Sequence, residues 1–192
     1  MDRKSSQSES PTEKHVLTVN KWGRTRLQFT EFSYTWSVEN FAFCRHRDPG
    51  YSITSPIFTA FNYSDKYQWQ IILYPTGYDV DNKGYVSIQL VKVSSPDDPK
   101  HASIRLAIVD SQGREAFATE KFVLILKSLE YAVDIKHFAG QNDVFDGALE
   151  DGDLTIKCRI LFDNGVSHFD SDTEADTAGF NLNQKMARMH MH

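Results

Sequence analysis

The chain has little of several things, and each shortage excludes a class. It has two cysteines, Cys44 and Cys158, far apart in 192 residues, so it is not a disulfide-stapled secreted scaffold. They read most simply as small buried hydrophobes in a reducing compartment, although the spacing also permits a bridge across a sandwich. The N-terminus, MDRKSSQSESPTEKH, has no apolar segment of a secretory leader. No apolar run approaches a membrane span, so no membrane partner is expected. No basic stripe accompanies the net charge of −5, so nucleic acid is not an expected partner either. With no leader read, the expected location is the nucleus or cytoplasm, and the sequon Asn62-Tyr63-Ser64 is expected to stay unmodified.

Chemistry is equally sparse. The seven histidines show no metal-ligand spacing, and His190 and His192 belong to a polar tail. There is no Gly-x-Ser-x-Gly elbow and no phosphate-cradling glycine loop. The paired acids Asp97-Asp98 and Asp151/Asp153 lie at turns, where aspartate caps backbone groups. Cys44 has only His46 nearby and lacks a cysteine-protease context, and His137 sits in an apolar stretch and reads as packed. The expectation is a non-enzyme with no cofactor, no metal and no catalytic residue.

What is present is a core. The chain is 40% hydrophobic and 12% aromatic, enough for one domain with tails. Phe32-Ser33-Tyr34-Thr35-Trp36-Ser37-Val38 alternates four large side chains with three small hydroxyls, the period of a half-buried strand. Asn40 breaks it, and Phe41 and Phe43 are placed to plug a core. Further strands are expected at Ser52–Phe58, Gln68–Tyr74, Tyr85–Val93, Ile104–Val109, Glu120–Leu126 and Leu154–Phe162. Turn signals such as Asn82-Lys83-Gly84 and Asp151-Gly152-Asp153 separate them. In the last strand Leu154, Ile156, Cys158, Ile160 and Phe162 should point inward. No long segment has helical period, and the best short-helix candidate is Ala132–Phe138. The pattern predicts an all-β, antiparallel β-sandwich of about eight strands. Residues 1–15 and 166–192 read as a disordered tail and an acidic flexible tail around a domain at 16–165.

Several segments carry a family resemblance. Tyr34-x-Trp36 with Asn40-Phe41-Ala42-Phe43-Cys44 comes first. Ser52 to Phe58, Trp69 through Pro75 and Gly77, and Tyr85-Val86-Ser87-Ile88 with Leu90 follow. Leu149-Glu150-Asp151-Gly152-Asp153-Leu154-Thr155-Ile156-Lys157-Cys158 closes the series. In this order they resemble the MATH (TRAF-like) domain, and are most similar to the speckle-type POZ (MATH-BTB) family. That resemblance implies a substrate-recognition module of a cullin-RING ubiquitin-ligase adaptor. Such a module holds an extended Ser/Thr-rich peptide as an added strand, with main-chain hydrogen bonds for affinity and alternate side-chain pockets for specificity. The implied partners are protein substrates, through short linear peptides. Residues 166–192 are too few for a BTB domain, so a cullin is expected only if one is supplied elsewhere.

The groove departs from the family. Its aromatic-Gly-aromatic element falls on Val133-Asp134-Ile135, ahead of Lys136-His137-Phe138, and aromatics of neighbouring strands fall on Gln89, Ile104, Ile125 and Lys127. Tyr131 lies beside the element as a displaced aromatic. Ile104 shares its strand face with Leu106 and Ile108, which favours core. The competing reading of these positions is ordinary strand surface. A TRAF-like scaffold is the alternative function, although residues 1–31 contain no heptads to drive trimers. A carbohydrate-binding sandwich is a third.

Overall fold

A computed structural model of the chain describes residues 21–97, 100–110, 112–126 and 131–170. The N-terminal tail, Lys127 and the expected 166–192 tail from Ser171 on, with His190 and His192, lie outside the described residues, whereas residues 166–170 of that tail are strand and not flexible coil.

The elements in chain order are β1 (Gly23–Val38), β2 (Ile53–Thr54), β3 (Phe58–Asn62), β4 (Asp65–Tyr74) and β5 (Tyr85–Ser94). Then come β6 (Lys100–Val109), β7 (Glu115–Ala118), β8 (Phe122–Leu126), β9 (Tyr131–Gly140), α1 (Gln141–Gly147) and β10 (Leu154–Asp170). The strands form two five-stranded sheets, and the ladders within them that are resolved residue by residue are antiparallel. One runs β1-β10-β6, with β7 and β8 both on the far edge of β6. The other runs β4-β5-β9, with β2 and β3 both on β4. The expected sandwich is therefore met, with more strands than anticipated. Ser52–Phe58 divides at Pro56, which cannot donate to a ladder, and β7 is an extra short strand.

Sequence alternation becomes burial. Trp36 and Val38 are buried, with Phe32 and Tyr34 packed on the core. The Tyr34 and Phe58 rings stack at 3.9 Å. Leu154, Ile156, Cys158, Ile160 and Phe162 are all fully buried, against Trp69, Ile71, Leu73, Ile88 and Leu90 of the other sheet. Each such side chain contributes roughly 1.5–3 kcal/mol through burial. Cys44 and Cys158 are free buried thiols, and burial pushes the Cys158 thiol up to about 12.

Three expectations fail locally. Phe43 is 81% exposed while Phe41 is buried. The segment Phe41–Cys44 is a 3-10 turn, whose three-residue period puts Phe41 and Cys44 on one side and turns Phe43 outward. Ala132–Phe138 is not a helix but the middle of β9; the only α-helix among the described residues follows it. His137 is exposed rather than packed inside, with its ring 4.2 Å from that of Tyr85. Asn62 of the sequon is fully buried, which bars its modification in the folded state.

Of the expected turn aspartates Asp153 caps a backbone group, and Asp79 does so as well. Asp153 accepts the Asn40 N–H at 2.7 Å, and Asp79 accepts the Asn82 N–H at 3.0 Å. Gly77 has φ +119, and a Cβ there would lie 2.4 Å from the Asn82 carbonyl oxygen, so the Tyr78-Asp79 loop needs glycine at its start.

A compact unit of residues 27–166 holds β2 to β9, α1 and most of β1 and β10. The end segments form a second unit. In it Thr25 Oγ1 lies 3.2 Å from His168 Nδ1, and the Arg24 and Arg26 guanidiniums lie 5.4 and 5.7 Å from the Phe169 ring centre.

Candidate functional site

β9 forms because its β-branched and aromatic residues, Tyr131, Val133 and Ile135, alternate with Ala132, Asp134 and Lys136. It pairs with β5 on one side, and among the described residues no strand pairs with its other side. β7 of the opposite sheet passes close by.

The register sorts the candidate residues by face. Val133 lies opposite Leu90 and Ile135 opposite Ile88, both buried, so these two aliphatics share the core side. Both are half-buried, and Ile135 packs on the core. Gln89 lies opposite Asp134 on the outward side, where its amide Nε2 donates to the Asp134 carboxylate at 2.6 Å. Tyr131 is 48% exposed at the start of the strand.

A polar and aromatic cluster adjoins this pair. The Lys136 ammonium lies 3.7 Å from the Asp79 carboxylate and 4.8 Å from the Tyr78 ring centre. Tyr78 also meets Tyr74, ring to ring at 4.8 Å. Ser87 Oγ donates to the Lys136 carbonyl and accepts the Tyr78 N–H at 3.1 Å. The Asn82 side chain, donating to Asp79, holds that carboxyl below its ordinary range, and Lys136 adds to the effect. Burial raises the Tyr74 phenol, and the charges of Tyr78 and Asp134 raise it further.

The structure thus brings together Gln89, Val133, Asp134, Ile135 and Lys136, with Tyr131 at the end of the row. It does not bring all the candidates together. Ile104 is fully buried, facing the core with Leu106 and Ile108, and leaves the groove set. Ile125 is 55% exposed, but it lies opposite His101 on the outer face of the other sheet. Tyr74, Tyr78, Asp79 and Ser87 were missed. The signal for Asp79 was present as an Asp three residues before Asn82 at a turn; nothing local placed Tyr78 under Lys136.

Hollows elsewhere, of about 60, 170 and 240 Å³, are smaller than a small-molecule pocket. Among the described residues no group of three or more His, Cys, Asp or Glu could hold a metal ion, and no helix is long and apolar enough to cross a membrane.

A family model described as MATH domain matches residues 33–160. The chain is also similar to the mouse (Mus musculus) protein named TD and POZ domain-containing protein 3, at 34% identity over 115 residues. That match covers 60% of this chain and 31% of the relative, so the chain spans about a third of that relative's length.

Proposed function

The chain belongs to the MATH domain family, and we propose that it recognises protein substrates by adding an extended peptide to the β9 edge. As a MATH domain with a POZ-containing relative it is a protein-interaction module of adaptor type. The proposal goes further: the module selects substrates for a cullin-RING ubiquitin ligase in the nucleus or cytoplasm, through Ser/Thr-rich linear peptides. The cullin link would come from a BTB domain, in keeping with the POZ domain named in the mouse relative.

The observation that carries the reading is the unpaired side of β9 among the described residues. Its backbone N–H and C=O groups can complete a ladder with an incoming strand, which is β-augmentation. Its side chains supply a different environment on each side, aliphatic at Val133 and Ile135, polar at Asp134 and Lys136. A single short strand buries little area, so affinities of micromolar class are expected.

The test is titration of the full chain with fluorescent Ser/Thr-rich peptides, read by anisotropy. Saturable binding that Val133→Arg abolishes, with an unchanged far-UV circular dichroism spectrum, supports the reading. No saturable binding, or equal binding by Val133→Arg, rejects it. A stable trimer by light scattering together with no binding would move the scaffold alternative ahead.

A further inference from the structure

We infer that the β9 edge selects peptides carrying Lys or Arg at the residue facing Asp134, flanked on both sides by aliphatic residues. This rests on the peptide-binding reading above and adds the chemistry of the ligand.

Residues directly opposite one another in a ladder share a face, and their neighbours share the other. A strand added to β9 therefore presents one residue beside Asp134 and its two neighbours beside Val133 and Ile135. Val133 and Ile135 are half-buried aliphatics backed by the fully buried pair Leu90 and Ile88. A peptide side chain there gains by covering apolar area and loses if it is charged.

The position between them is electrostatically unbalanced. Asp134 is exposed, and its described partner is the neutral Gln89 amide, which fixes one carboxylate oxygen at 2.6 Å. None of the ion pairs among the described residues includes it. The nearby cation of the same strand is already engaged, because Lys136 lies against Asp79 and over Tyr78. Asp134 thus offers a carboxylate held in place, its charge unmatched among the described residues. A Lys or Arg opposite it forms a cross-strand ion pair, a Ser gains no charge attraction, and a Glu or a phosphorylated residue is repelled.

The experiment is selection of a random phage-displayed peptide library on the full chain, followed by anisotropy with the recovered peptide and its Lys→Ser and Lys→Glu forms. Recovered peptides should carry aliphatic-Lys/Arg-aliphatic triplets. The Ser form should bind about two- to fivefold more weakly, the Glu form more weakly still, and the differences should shrink as salt is raised. Asp134→Lys, a change at an exposed position, should reverse the ranking. Peptides that bind without any cation preference, or a ranking that Asp134→Lys leaves unchanged, overturn this inference alone. Recovery of no binding peptide overturns the peptide reading and this inference with it.

Discussion

β10 and β9 are both long strands of the same sandwich, and they do opposite work. β10 is paired on both sides, by β1 and β6, and five of its inward residues are fully buried. β9 is paired only with β5 among the described residues, and its inward Val133 and Ile135 are half-buried. An internal strand has its environment completed by its own chain. An edge strand leaves part of that environment to a partner. The largest expected effect tests this contrast in stability. Ile160→Ala in β10 should cost about 2–5 kcal/mol, from lost burial plus a residual cavity. Val133→Ala in β9 should cost less than about 1 kcal/mol, since the side chain is already partly in water. Urea denaturation of both variants measures the two costs, and equal losses would break the comparison.

The same contrast explains what the sequence revealed. In Leu154-Thr155-Ile156-Lys157-Cys158-Arg159-Ile160 the side chains alternate because two buried neighbours and a packed face leave no other arrangement. The Phe32–Val38 run is legible although β1 lies at a sheet edge, because Phe32, Tyr34, Trp36 and Val38 all pack on the core. Ala132–Phe138 of β9 reads as a short helix because Ala132, Lys136 and Phe138 blur the period of two, and a half-exposed edge imposes no strict alternation. Its strand character comes from pairing with β5, a non-local cause. The candidate site was legible where it follows the chain, at Val133 to Lys136. It was illegible where it depends on register, which set Gln89 against Asp134 and Lys136 against Asp79, and which sent Ile104 into the core.

A smaller effect sharpens the comparison on the β9 side. Lys92 of β5 is fully buried, opposite Trp69 on one side and Tyr131 of β9 on the other. Its ammonium donates to Ser95 Oγ at 2.9 Å, and none of the ion pairs among the described residues includes it. Burial lowers its pKa from the ordinary lysine value. The unfolded chain therefore holds this proton more tightly than the folded one, and stability rises with pH from the folded-state pKa up to the ordinary lysine range. Lys92→Met should raise stability at neutral pH by about 1 kcal/mol. The gap should close in alkali, and taking the difference between the two proteins cancels the ionisation of phenols such as Tyr74. A destabilised Met variant would mean that the ammonium holds the base of β9 in place, and the edge would then be less independent of the core than β10 suggests.

The smallest effect lies on the β10 side. Glu115 of β7 accepts from Arg105 Nε and Nη2 at 3.1 and 2.7 Å and also from Arg159 of β10. The Arg105 hydrogen bonds are the main cause of its lowered pKa, with the charges of Arg105 and Arg159 adding to it. A carboxyl with a depressed folded-state pKa adds stability that is present above the ordinary glutamate range and is lost as pH falls through the folded value. Glu115→Gln should therefore lose a few tenths to about 1 kcal/mol at neutral pH, as partly exposed ion pairs do. Variant and wild type should converge in acid, below the folded-state pKa. Asp79, Asp110 and Asp146 are also depressed and titrate in both proteins, so the difference between the two urea midpoints isolates Glu115. If Glu115→Gln instead costs as much as Ile160→Ala, the arginine clamp on the outer face, and not burial, fixes β10. The two strands would then differ in their ion pairs and not in how completely the chain covers them.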